Sequence, residues 1–217
     1  MEPETLNLPV LALRGLTVFP HTNLTFDVER HISMKALEVA METGQEIFLV
    51  TQREINVEKP TEQDLYAIGT ISRVTQILRL GQNSLRVMVE GGRRARLKRL
   101  WQLEPYLQGQ VETAEEPESV NHGPKTEALL RQTWSLFQDY AQLAGNVAEE
   151  VIAAALDCQE PGDLADLIAQ NIALRYDDKQ AILEELSPMV RLRKLNGFLA
   201  RERDVLGYQR QMEGKVR

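Results

Sequence analysis

The sequence has few of the residues that build metal sites, disulfide frameworks or nucleophile pairs. It contains one cysteine, Cys158, and three histidines, His21, His31 and His122. A single cysteine excludes an internal disulfide and any multi-cysteine metal site, and it is typical of a reducing compartment. The histidines are far apart and lack the His-Glu-x-x-His spacing that places two ligands on one helix face. We therefore expect no metal ion and no catalytic histidine.

Sequence signals for nucleotide binding, secretion and membrane insertion are also missing. A phosphate-binding loop needs a glycine, four further residues and then Gly-Lys-Ser or Gly-Lys-Thr, whereas the only Gly-Lys pair, Gly214-Lys215, is followed by valine. The first residues include no basic region followed by an apolar one, and no stretch approaches the roughly 18 apolar residues of a membrane span. We expect a cytoplasmic chain with no membrane contact, no cofactor and no catalytic group of its own.

Charge is unevenly distributed along the chain. The net charge of -7 argues against a protein that binds nucleic acid over its whole surface. One segment is nevertheless strongly basic and contains Arg93, Arg94, Arg96, Lys98 and Arg99. On a strand, alternation would place Arg94, Arg96 and Lys98 on one face. Two interpretations remain open: a basic face that binds phosphates, or arginines that pair with acidic side chains of the same protein, which we favour.

Strand signals dominate residues 1–113, which we predict to form a β-rich subdomain. Alternating apolar residues on both sides of a Gly-Gln-Asn-Ser segment at 81–84 predict a hairpin. In the first strand, Pro9 favours an edge or bulge position. The predicted elements are strands at 6–13 and 47–50, a short helix at 33–44 that begins at Ser33, hairpin arms at 65–80 and 85–90, and strands at 95–103 and 107–111.

The second half of the chain has helical periodicity. Residues 114–125 are polar, acidic and rich in proline and glycine, which predicts a linker. After it, Leu130, Trp134 and Phe137 recur at the spacing of one helix face. A long helix is predicted to begin at Pro188 and to continue to the last residue. The sequence therefore predicts an α+β fold with a helical bundle over residues 126–217.

Three blocks of sequence, taken in order, resemble a known family. The first combines LPVLALR at 8–14 with VFPH at 18–21. The second runs from DLYAIGT at 64–70 through VMVEG at 87–91 to RAR at 94–96, and the third combines LADLIA at 164–169 and DKQAILE at 178–184 with RL at 191–192. In this order they resemble the amino-terminal region of the Lon family of ATP-dependent proteases. The chain differs from the family pattern where Gly81-Gln82-Asn83 replaces a frequent Pro-Asp-Gly turn and where Ala12 replaces a frequent proline.

The resemblance implies a compact, PUA-like pseudo-barrel followed by a helical bundle with a long final helix. It also implies a longer protein in which this region precedes an ATP- and magnesium-dependent motor domain and a protease domain with a serine-lysine dyad. The resemblance further implies that the subunits assemble as a homo-hexamer and that the enzyme acts in stress response and protein quality control. The expected role of the region is to capture unfolded or damaged proteins and to support assembly of the ring.

Two sets of apolar residues are candidates for these roles. A receptor for unfolded proteins needs accessible apolar surface or an open strand edge, although a single residue of this kind more often fills the core of the sheet. Two alternatives stay open, namely a nucleic-acid-binding module that uses the basic segment Arg93–Arg99, with DNA as a weakly bound partner, and a stand-alone adaptor of the same fold. The candidates for client binding are Phe19, Pro20, Leu24, Phe26, Leu78, Leu80 and Met88, and those for assembly are Phe198, Val205, Tyr208 and Met212.

Overall fold

A computed structural model describes residues 2–114, 116 and 120–215. Its contacts divide the chain into a barrel unit, residues 1–115 with 175–184, and a helical unit, residues 116–174 with 185–217. The predicted linker and the predicted end of the last helix lie partly outside the described residues. In chain order the elements are β1 (Thr5–Leu13), β2 (Asn23–Val28), α1 (His31–Glu42), β3 (Glu46–Thr51), a 3₁₀ turn (Glu62–Asp64), β4 (Ile68–Arg79), β5 (Leu85–Gln102), β6 (Gln108–Thr113), α2 (Pro124–Ala144), α3 (Glu149–Asp157), α4 (Pro161–Asn171), α5 (Tyr176–Glu184) and α6 (Pro188–Lys215).

The sheet of the barrel unit closes on itself through β5. The strand order is β2-β5-β4-β3-β1-β6, and β6 pairs again with β5. Because β5 is 18 residues long, its first part pairs with β2 and its second part with β6. Register shifts along β5 at its pairings with β4 and β6 bend the strand, as bulges do in closed sheets. The predicted α+β fold with a β-rich barrel is confirmed.

Two apolar clusters hold the barrel unit together, one on each face of β3. Ile47 and Leu49 pack in a cluster that includes residues of α1, while Phe48 and Val50 pack in a second cluster with strand residues of the barrel. Alternation along a strand directs successive side chains to opposite faces. Since both faces are covered, β3 has a continuous apolar sequence.

Several predicted elements need correction. The segment 95–103 is the second part of β5 and not a separate strand, β2 was not predicted, and α1 begins at His31 instead of Ser33. Pro9 does not lie on an edge strand, because β1 lies between β3 and β6. Val10 N donates to Leu107 O on the β6 side, so the nitrogen of Pro9 faces the β3 side, where pairing begins only at Val10. The strand therefore loses no ladder bond there.

Helix α5 belongs to the barrel unit although it lies among the helices in sequence. Gln180 Nε2 donates to Ile68 O at 2.9 Å, and Arg94 Nε donates to Leu183 O at 2.9 Å. These bonds join α5 to β4 and β5. The predicted boundaries placed residues 175–184 with the helical bundle, whereas their contacts group them with the strands.

The helical unit is built on α6, which packs against α2 and α4. Phe137, Ile168 and Leu195 are among its fully buried side chains. A buried hydrogen bond from Thr133 Oγ1 to Asn196 Oδ1, at 2.9 Å, crosses from α2 to α6. The predicted long final helix is confirmed as far as the described residues extend. None of the described helices combines the length and hydrophobicity needed to cross a bilayer.

Candidate functional site

The end of the β4–β5 hairpin, residues 74–89, extends past the point where β3 stops pairing with β4. We call this segment the distal hairpin. Its inner face is fixed by Val74, Val87 and Val89, which are buried in the cluster beside α1. Three of its large apolar residues are exposed: Leu78 by 51%, Leu80 by 45% and Met88 by 43%. We refer to these three residues as the apolar patch.

Strand pairing brings Leu78 and Met88 together on the outer face. Leu78 lies opposite Arg86 and Met88 lies opposite Gln76, so Leu78 and Met88 are diagonal neighbours within side-chain reach. Arg86 donates to Asp27 of β2 through Nε at 2.8 Å and Nη2 at 3.1 Å. This hydrogen bond to Arg86 lowers the pKa of Asp27. The ion pair neutralises the charge of Arg86 beside the patch.

The other residues predicted to bind clients are less accessible. Phe19 and Pro20 are buried, and Leu24 and Phe26 are half-buried. On β2, Leu24 pairs with Val89 and Phe26 with Val87, so both point to the inner face and pack on the cluster beside α1. In this structure the exposed apolar surface of the hairpin therefore consists of Leu78, Leu80 and Met88.

The basic segment is largely engaged with the protein itself. Arg93 forms an ion pair with Glu4 at 2.7 Å, and Lys98 lies 3.9 Å from Glu112. Arg94 is buried and bonds to α5. Arg96 and Arg99 are exposed. This arrangement favours the interpretation in which these residues pair within the protein over a continuous phosphate-binding face.

Helix α6 presents a second exposed apolar surface in the helical unit. Val205, Tyr208 and Met212 are all exposed, and their spacing of three and four residues matches one seam of a coiled coil. Phe198, about two turns before Val205, is half-buried, and the Arg201 guanidinium lies 5.3 Å from its ring centre. We call Val205, Tyr208 and Met212 the helix stripe.

The sequence did not indicate an apolar groove in the barrel unit. The groove has a volume of about 580 Å³ and is lined by Ile32, Pro60, Leu103 and Pro105 among others. These residues come from three segments that are distant in sequence. Because no single segment has a motif, only the fold brings them together.

The described residues assemble no group of three or more histidine, cysteine, aspartate or glutamate side chains that could hold a metal ion. Burial raises the pKa of Cys158, which reduces the fraction of reactive thiolate at neutral pH. Its Sγ donates to Glu160 O at 3.5 Å. Cys158 is thus placed as a packing residue and not as an activated nucleophile.

Fold and surface together define a two-unit module that presents exposed apolar residues on a hairpin and on a long helix. The family described as the ATP-dependent protease La (LON) substrate-binding domain matches residues 7–201. The chain therefore belongs to the Lon substrate-binding domain family.

Similar proteins agree with this assignment. The chain is 38% identical over 217 residues to a Lon protease of Desulforamulus reducens, covering 100% of this chain and 26% of that protein. It is 35% identical over 211 residues to Lon protease 1 of Bacillus subtilis, covering 97% of this chain and 27% of that protein. The chain thus spans about a quarter of the length of these curated relatives.

Solved structures share the fold. The N-terminal domain of the Mycobacterium avium complex Lon protease has a TM-score of 0.71 at 22% identity, covering 90% of this chain and 98% of that one. A Lon N-terminal domain protein from Xanthomonas campestris has a TM-score of 0.61 at 18% identity, covering 88% of this chain and 96% of that one. At these identities the likeness concerns the fold alone.

Proposed function

We propose that this chain is the non-catalytic client-recognition region of a Lon-type ATP-dependent protease. In this proposal it captures unfolded or damaged proteins and delivers them to motor and protease domains of a longer protein. ATP and magnesium act in the motor domain, and the subunits assemble as a hexamer. The family membership and the quarter-length match to proteins named Lon protease support this proposal. The observation that carries it is the apolar patch on the distal hairpin.

The apolar patch suits capture because unfolded proteins differ from folded ones in the apolar segments they expose. Covering three half-exposed side chains contributes on the order of 2–4 kcal/mol, which corresponds to weak binding at a single site. Weak binding allows a client to be released to a motor. Several sites in one assembly would raise the overall affinity through multivalency.

Polar substitution of the whole patch tests this proposal. We expect the triple variant Leu78→Ser, Leu80→Ser, Met88→Gln to bind an unfolded protein about thirtyfold more weakly, because about 2 kcal/mol of apolar burial is lost. Fluorescence anisotropy of a labelled, reduced and alkylated protein would measure the affinity, with the same protein in its folded form as the reference. The wild-type chain should bind the unfolded form preferentially.

Ile55→Ser is the matched control, since Ile55 is 48% exposed on a different segment of the barrel unit. It should leave binding unchanged. Equal affinity for the folded and unfolded forms, or an equal loss in the control, would contradict a client site on the hairpin.

The helix stripe supports a role in assembly. We propose that Val205, Tyr208 and Met212 pack against a neighbouring subunit, as residues of a coiled-coil seam do. We expect Tyr208→Ser with Met212→Ser to reduce self-association of the full-length protein, and the change should be visible in sedimentation velocity. The control is Arg203→Ser with Gln209→Ser, which alters the same helix segment outside the stripe. Unchanged association in the stripe variant would rule out this interface.

A further inference from the structure

The outer edge of β4 is open along the distal hairpin. β3 pairs with β4 only from Thr70 to Arg73, and Gln45 O then accepts a bond from Val74 N at 2.8 Å. Beyond Val74, β4 pairs with β5 alone. One edge of the strand therefore faces solvent beside the apolar patch.

The hydrogen-bond pattern shows which backbone groups face that edge. Leu80 N donates to Ser84 O at 3.0 Å, so Leu80 and Ser84 form a hydrogen-bonded pair of the antiparallel ladder. Such pairs alternate along the ladder, which directs the backbone groups of Leu78 towards β5 and those of Ile77 and Arg79 outwards. Within the described residues, no hydrogen bond outside the sheet ladder involves the backbone of Ile77 or Arg79.

Two residues with outward N–H and C=O groups form a template for another strand. Natural proteins usually protect such edges with proline, bulges or inward-pointing charges. Here the segment from Val74 to Leu80 contains no proline, and its one register shift, between Val74 and Gln76, precedes the outward residues Ile77 and Arg79. Arg79 is its one charged residue. The edge thus has the backbone spacing and the side chains that an extended peptide would pair with.

We propose that this edge binds an extended client segment as an added strand, and that the preferred client pattern is apolar–acidic–apolar. The inference deepens the proposed function and rests on it, since it assigns a binding mode to the same apolar patch. Leu78 and Leu80 point to one face of β4 and Arg79 to the other, because side chains alternate along a strand. When a client strand pairs with this edge, two of its residues lie beside Leu78 and Leu80, and these are the apolar ones. The client residue between them lies beside Arg79.

Charge complementarity favours an acidic residue at that central position. Between Arg73 and Glu90 the sequence contains Arg79 and Arg86 but no carboxylate. Arg86 is neutralised by Asp27, whereas Arg79 is exposed and pairs with no carboxylate of the described chain. A second copy of the chain would bring another Arg79 to the edge, so the charge disfavours pairing between two copies.

Short labelled peptides test the binding mode without altering the protein. A nonapeptide with a central Leu-Glu-Leu is compared with its Leu-Lys-Leu counterpart, and each is N-methylated at alternate residues in two complementary sets. We expect the lysine peptide to bind two- to about fivefold more weakly, as an exposed ion pair allows. We expect N-methylation in one set to weaken binding about tenfold through lost backbone hydrogen bonds, and N-methylation in the other set to have little effect.

A charge-reversal variant provides the second arm. Arg79 is exposed, so Arg79→Glu should keep the fold, which circular dichroism and urea unfolding would verify. We expect the variant to prefer the lysine peptide over the glutamate peptide. The order of the N-methylated sets should stay the same, since the backbone edge is unchanged.

The outcomes separate this inference from the proposed function. If unfolded protein binds through the apolar patch but both N-methylated sets bind alike, or the glutamate peptide has no advantage, strand addition is wrong and client capture stands. If neither unfolded protein nor peptide binds, both fail. If the chain self-associates at these concentrations and Arg79→Glu changes that association, the occupant is a second copy and the inference is overturned.

Discussion

Replacing Arg191 with methionine should lower the free energy of unfolding of the helical unit by about 3–5 kcal/mol. Arg191 is 0% exposed and sits where α4, α6 and the segment before α6 meet. Its Nη2 contacts Glu116 Oε1 at 2.7 Å and its Nη1 contacts Asp166 Oδ2 at 3.4 Å. Its Nε donates to Glu185 O at 2.8 Å.

The large effect follows from the partner that remains. Asp166 is itself buried, so without the guanidinium its carboxylate stays in a low-dielectric environment without its cationic partner. Removing one member of a buried pair is far more destabilising than replacing both with apolar residues. We therefore expect Arg191→Met with Asp166→Leu to recover much of the stability that Arg191→Met loses.

Tryptophan fluorescence would measure this effect in the helical unit alone. The chain has two tryptophans, and a Trp101→Phe background leaves Trp134 of α2 as the reporter during urea unfolding. The control is Arg193→Met, an exposed position on the same helix, where the change should stay within about 0.5 kcal/mol. Equal stabilities of the Arg191 and Arg193 variants would contradict the assigned role of the buried guanidinium.

The second large effect is expected at Gly91 in the barrel unit. A Cβ atom at this position would lie 2.0 Å from Phe19 O, far inside van der Waals contact. The backbone is held there by His21 N donating to Gly91 O at 2.9 Å and Gly91 N donating to Thr22 O at 2.8 Å. Because these bonds oppose a shift, Gly91→Ala should cost about 3 kcal/mol or more.

Gly81→Ala is the natural comparison for Gly91→Ala. No atom lies within 4 Å of a Cβ built at Gly81, so the change there should be below about 1 kcal/mol. Both variants would be unfolded in urea in a Trp134→Phe background, with Trp101 reporting on the barrel unit. If both variants lose the same free energy of unfolding, the close approach of Gly91 to Phe19 is not what requires glycine at position 91.

Local patterns were sufficient to predict part of the fold. The hairpin could be predicted because apolar alternation and a glycine-containing turn are both short-range signals. β2 carries the same signal in Leu24, Phe26 and Val28, which recur at a spacing of two, but this alternation spans only six residues and β2 is not among the predicted strands. The attachment of α5 to the strands could not be predicted, because it depends on contacts such as Gln180 with Ile68 that join residues far apart in sequence.

The residues of the candidate site could also be predicted only in part from the sequence. Alternation places Leu24 and Leu78 on strands but does not tell which face another element covers. In the fold, the face with Leu24 packs against the cluster beside α1, and the face with Leu78 remains open. Arg94 was predicted on the same strand face as Arg96, and only the structure shows that α5 bonds to Arg94. Accessibility, and not residue type, thus separates the apolar patch from the other candidates.

Hydrogen–deuterium exchange with an unfolded client tests the central claim most directly. The protein is measured alone and with a saturating amount of reduced, alkylated client. We predict slower exchange within residues 74–89, including the outward amides of Ile77 and Arg79, and no change in the segment around Ile55. Protection elsewhere in the chain without protection of the distal hairpin would contradict a client site at the apolar patch.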